Sequence, residues 1–164
     1  MRKWFIAVLS FVFATLLLAC SAGRPTQVAE RQILLYYYNP DLDRDASGNV
    51  LCSRAGLVPV ERSVPASLSG EALVREAIQR LISGNLIPEE QARGITTEYP
   101  LEGLQLMDVS LANGVATLSF SDPNNRTSGG ACRAGVLWLQ IEQTVLQFPG
   151  ITQVKFLPKE LFQP

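Results

Sequence analysis

Three cysteines and no histidine bound the chemistry open to this chain of 164 residues. Without an imidazole there is no Ser-His-Asp or Cys-His nucleophile, no HExxH zinc centre and no His-ligated metal. The cysteines stand at positions 20, 52 and 132, an odd count. Cys20 ends the apolar stretch Leu17-Leu18-Ala19-Cys20, and Ser21, Ala22 and Gly23 follow it. A thiolate is a strong nucleophile near neutral pH, which makes Cys20 a candidate for covalent modification. With Cys20 set aside, Cys52 and Cys132 remain as one pair. In an oxidising compartment they are expected to form a disulfide, with two separate buried thiols as the alternative. Such a bridge closes a loop of 80 positions and would contribute roughly 4–5 kcal/mol as an upper estimate.

Carboxylates are the other reactive groups present in number. Asp41, Asp43 and Asp45 alternate in DLDRDASGNV in the manner of a calcium loop. Counted from Asp41, however, position 6 is Ala46 and position 12 is Cys52, where a calcium loop needs Gly and Glu. A solvated loop is the preferred reading. Glu98 and Glu102 flank Pro100, and Asp108 and Asp122 flank a hairpin. Glycoside hydrolysis works through such pairs, so a carboxylate-dependent hydrolase or accessory factor acting on peptidoglycan stands as the alternative function. Surface charge is the plainer use of all four. Lys155 and Lys159 are the only lysines after Lys3, which leaves a Ser-Lys dyad without support. Gly129-Gly130 lacks the flanking pattern of a phosphate-cradling loop. No cofactor and no metal site are expected. Tyr36, Tyr37, Tyr38 and Trp138 could form a binding face, with core packing expected for at least half of them.

The first nineteen residues read as a targeting segment. Arg2 and Lys3 precede 16 residues (4 to 19) that are apolar apart from Ser10 and Thr15. That is short of the roughly 20 needed to cross a bilayer but suits the core of a signal peptide. Ending as it does in LLAC, the segment resembles the lipobox of bacterial lipoproteins. In that family the cysteine thiol takes a diacylglycerol, the peptide is cut before it, and the new amine is acylated. The expected organisation is a signal peptide over 1–19, a lipidated Cys20 with a short tether over 20–31, and one domain over 32–164. The location expected from this is extracytoplasmic, lipid-anchored to the cell membrane. The ten residues from Ser21 to Glu30 reach about 33 Å when extended, so the domain would sit near the bilayer. Past residue 19 there are twelve basic and fifteen acidic residues, a formal balance of −3. With no block of like charge, a nucleic-acid partner is not expected.

The elements follow from periodicity. Ile33–Tyr38 (ILLYYY) and Leu57–Val64 (LVPVERSV) read as strands, the second at an edge because Pro59 has no N–H to give a ladder. Over Glu71–Ile82, Leu73, Val74, Ala77, Ile78, Leu81 and Ile82 form one helical stripe, with Ser69 as N-cap and Gly84 as stop. From Leu104 the period becomes two. Asn113-Gly114 predicts a type I′ hairpin pairing Leu111 with Ala116, Val109 with Leu118 and Met107 with Phe120. Val136–Gln147 reads as a second helix stopped by Pro149-Gly150, and Ile151–Leu157 as a last strand. The order β-β-α-β-β-α-β predicts an α+β fold. Its expected form is a two-layer sandwich, with two helices over one face of a mixed, mostly antiparallel sheet.

In that order, LVPVERSV, EALVREAIQRLISG, PEEQARGITTEYP, LMDVSLANGVATLSFS and LQIEQTVLQFPGITQVKF resemble the GerMN domain, named after spore-germination proteins. The resemblance runs from Ile33 to about Leu157. Its most specific pieces are the loop Gly94–Pro100, the NGVATLSF hairpin and the stretch Thr144–Ile151. It implies a secreted or lipid-anchored bacterial domain without established catalysis, similar in some members to modules that assemble envelope complexes. An envelope protein, a cell-wall component or a second copy of the chain is the partner it implies.

Overall fold

β-branched and aromatic residues open the domain with a strand, β1 (Glu30–Tyr38), whose Ile33, Leu35 and Tyr37 are buried on alternate positions. The computed structural model describes residues 29–163; the leader, Cys20 and most of the tether lie outside the described residues. β1 pairs antiparallel with β2 (Leu57–Pro65). A 13-residue helix, α1 (Gly70–Ile82), and a five-residue helix, α2 (Pro88–Ala92), come next. The hairpin β3 (Gln105–Ala112) and β4 (Val115–Ser121), helix α3 (Ala131–Leu146) and β5 (Gln153–Leu157) complete the fold. The class is α+β, as the sequence predicts, with α2 as an addition. No helix among the described residues is long and apolar enough to cross a membrane.

The five strands form two sheets, not the single sheet expected: β1-β2, and β3-β4-β5 with β5 parallel to β4. Side chains are the reason. On the edge of β1 away from β2, Leu34 N donates to Gln147 Oε1 (2.8 Å), and Gln147 Nε2 donates to Leu34 O (2.6 Å). Tyr36 N donates to Thr144 Oγ1 (3.0 Å). The end of α3 thus stands where a further strand would, satisfying main-chain groups that burial would otherwise penalise. Both long helices cover both sheets: α1 packs on β1 and β3, α3 packs on β1 and β5, and the two helices touch.

The apolar stripe of α1 lies in the core as expected, with Ala77, Ile78 and Leu81 fully buried. Ser69 holds the N-cap position without a side-chain cap bond. α3 begins five residues before the expected Val136, because Gly129 and Gly130 (φ 123° and 98°) end the preceding loop and ACRAG carries no apolar period to mark the start. In the hairpin, Asn113 and Gly114 take φ 50° and 78°, and Leu111–Ala116 and Val109–Leu118 pair as predicted. The third pair differs. A bulge between Leu106 and Asp108 sets Leu106 opposite Phe120 and turns Met107 outward, 57% exposed. Phe120, Phe156 and Phe162 form an aromatic group at the far end of this sheet, with Trp138 of α3 4.5 Å from Phe156.

Candidate functional site

Cys52 and Cys132 are joined in a disulfide with a Cα–Cα distance of 5.3 Å. It ties the long loop after β1 to the first turn of α3. A cleft of about 470 Å³ lies beside it, lined among others by Val50, Thr97, Val136 and Gln140. At its rim Arg133 Nε donates to Glu98 Oε2 (2.5 Å).

The three loop aspartates do not converge. Asp41 pairs with Arg44 (3.0 Å), and Asp45 accepts from the backbone N–H groups of Ser47 and Asn49. Asp43 departs from the solvated reading, being 1% exposed. It accepts from Tyr38 Oη (2.5 Å), Ser53 N and Ser53 Oγ (both 2.6 Å). Gly56 makes room for this arrangement, since a Cβ there would stand 2.4 Å from the Tyr38 ring. Among the described residues no group of three or more Cys, Asp or Glu side chains could hold a metal ion.

Burial pushes the Asp43 carboxyl up, and the hydrogen bonds from Ser53 and Tyr38 outweigh it, holding the group below the usual carboxylate range. A depressed pKa gives stability that is present above the unfolded-state value near 3.9 and is lost as pH falls through the folded one. Asp43→Asn is therefore expected to cost about 1–2 kcal/mol at pH 7, toward the lower part of the range for bonds to a charged group because the amide oxygen can still accept. Urea titrations from pH 7 to pH 2 check it: the variant should lose less stability on acidification than the parent.

The four carboxylates weighed for hydrolysis each have a separate structural use. Glu98 binds Arg133 and Glu102 binds Arg126 (2.8 Å). Asp108 meets Arg75 (3.1 Å), and Asp122 accepts from the N–H groups of Arg126 and Thr127 in its own loop. Two residues that sequence reasoning passed over make the most buried ion pair. Arg62 of β2 grips Glu90 of α2 through both guanidinium nitrogens (2.7 and 2.8 Å). Nothing in the sequence marks them, since Glu90 stands among Glu89, Gln91 and Arg93 and Arg62 between Glu61 and Ser63.

Of the aromatics, Tyr37 and Tyr38 are buried and Tyr36 and Trp138 are half-buried. Burial raises the Tyr37 hydroxyl to about 12. Trp138 lines a second cleft, about 650 Å³, between α3 and the outer edge of β5. This edge carries no proline and no side-chain bond to its main chain among the described residues, whereas the other edges each have at least one such block. β2 presents Pro59 outward, and Arg62 Nη1 covers the Glu61 carbonyl (2.9 Å). On β3, Leu111 N donates to Glu71 Oε1 (3.0 Å) and Met107 O accepts from Arg75 (3.2 Å). For β5, no main-chain partner exists beyond the β4 side among the described residues.

Comparison with known proteins places this arrangement. The family model described as Germane, sporulation and spore germination, matches residues 34–158. The chain belongs to the Germane family. Its two-sheet fold is similar to the tandem GerMN domains of the sporulation protein GerM from Bacillus subtilis, at 20% identity and a TM-score of 0.51. That match covers 85% of this Germane chain and 43% of the tandem structure, so the chain spans less than half of that relative. The first GerMN domain of the same protein matches at 19% identity and a TM-score of 0.45, covering 79% of this chain and 86% of that one. No curated protein matches the chain.

Proposed function

We propose that this Germane-family chain is a bacterial envelope lipoprotein, held to the outer face of a membrane by a lipid on Cys20. Its domain serves as a non-catalytic module that contacts an envelope protein. The observation that carries the contact role is the β5 edge, which lies beside a cleft and has no side-chain bond or proline on its main chain among the described residues, whereas side chains or a proline block positions along the edges of β1, β2 and β3. An edge of that kind is a place where another chain can add.

The anchor is tested by mass spectrometry of the mature protein from cells. An acylated N-terminal Cys20 is expected, and Cys20→Ser should release the protein from the membrane fraction. An unmodified N-terminus at another residue would remove the anchor from this reading. The contact role is tested by supplying the purified chain with peptidoglycan. Release of fragments that stops on Ala substitution at Glu98, Glu102, Asp108 or Asp122 would make the chain an enzyme instead.

A further inference from the structure

The occupant of the β5 edge is legible in its charge and its hydrogen-bonding direction. Gln153 N donates to Gly114 O on the β4 side (3.2 Å). Successive main-chain groups of a strand point to opposite sides. The N–H and C=O groups of Val154 and Phe156 therefore face outward, over the cleft that Trp138 and Phe156 line. Leu157, 41% exposed, adds apolar surface at its end.

Lys155 and Lys159 both line this cleft. Seven of the nine described arginines are in ion pairs, whereas neither lysine is. The cleft's one carboxylate, Glu142, is already bound by Arg54. Two unmatched positive charges thus stand on the open edge of a chain whose balance past residue 19 is −3. A second copy does not suit the site. Two β5 strands paired antiparallel about their middle residue would bring the two Lys155 ammonium groups face to face, which is unfavourable.

We propose that the cleft between β5 and α3 receives an extended acidic segment of a partner protein. The segment adds to β5 as a fourth strand, sets apolar side chains against Trp138 and Phe156, and places carboxylates beside Lys155 and Lys159. Lysine on a bare edge deters uncharged and basic strands and favours acidic ones, so the same residues give selectivity as well as attraction. This inference rests on the contact-module reading above.

Phage-displayed random dodecapeptides, panned on the mature full-length chain in detergent micelles, test it. Enrichment of sequences alternating apolar residues with Asp or Glu is expected. A synthetic peptide of the enriched sequence should bind the double variant Lys155→Glu, Lys159→Glu at least about tenfold more weakly, given the reversed cross-strand pair at Lys155 and the reversed charge at Lys159 beside the strand's end. In the wild type it should slow amide exchange at Val154 and Phe156. Circular dichroism of the variant, with both substitutions on exposed residues, should match the parent. No enrichment, enrichment of basic peptides, equal binding by the variant, or exchange changes elsewhere would each overturn the proposal. So would lysine-dependent binding to phosphatidylglycerol vesicles without peptide enrichment, which would assign the lysines to headgroups. Cross-linking in cells separates the two failures. If the double variant captures the same envelope protein as the parent, the cleft assignment falls and the contact module stands.

Discussion

Serine at both Cys52 and Cys132 should leave a folded domain whose melting temperature is lower by about 10–15 °C. The crosslink removes conformations from the unfolded chain, and a loop of 80 positions corresponds to an upper estimate of roughly 4–5 kcal/mol. For a domain of this size each kcal/mol moves the midpoint by about 2–4 °C. The core does not depend on the bridge: Cys132 is exposed, Cys52 is half-buried, and neither belongs to the apolar cluster under the helices. The loop from Asn39 to Gly56 also keeps its own ties, through Asp43 and the backbone bond from Asn39 N to Gly56 O (2.8 Å). Calorimetry of the wild type with and without reductant is the check. Reductant should reproduce the loss in the parent and change nothing in the variant. An equal melting temperature for all three samples would mean that the loop is held by other contacts.

Glu90→Ala should be the most damaging change at a charged residue, about 3 kcal/mol. Glu90 is 6% exposed, binds Arg62 through both oxygens, and accepts from Ile87 N (3.0 Å) at the start of α2. Alanine leaves a guanidinium with no counter-charge, and removing one member of a buried pair costs about 3–5 kcal/mol. The Arg62 side chain is 21% exposed and rehydrates in part, which sets the expectation at the lower end. The carboxyl is held below its usual range first by the Arg62 hydrogen bonds, so this contribution is present at neutral pH and is lost on acidification. Urea unfolding of Glu90→Ala, Arg62→Ala and the double variant gives the coupling between them. If Glu90→Ala cost under ~1 kcal/mol, water would be reaching the pair freely.

Much of the fold was legible because its signals are local. Six apolar residues at helical spacing mark α1, and Asn-Gly between alternating segments marks the β3–β4 turn together with two of its three predicted pairs. The resemblance over Ile33 to Leu157 and the family match over 34–158 coincide. What escaped depends on partners distant in sequence. Gln147 and Thr144 divide the strands into two sheets, yet on a helix their side chains look like ordinary polar surface until β1 lies beside them. α2 has five residues, too few for a period. Asp43 is buried through Tyr38 and Ser53, and no spacing rule separates it from the exposed Asp41 and the half-buried Asp45. The β5 site was hidden for a related reason: openness of a strand edge is decided by topology, and the pairing of other charges elsewhere singles out Lys155 and Lys159.

The hold of α3 on β1 has a consequence in time. Leu34 and Gln147 are 113 residues apart, and Tyr36 and Thr144 are 108 apart. A chain that emerges N-terminus first can pair β1 with β2 early, but the other edge of QILLYYY stays bare until nearly all of the domain is out. Aromatic and β-branched strands with an open edge template aggregation. Gln147 therefore works as a late latch, and its loss would be felt less in the melting point of molecules that finish folding than in how many of them finish.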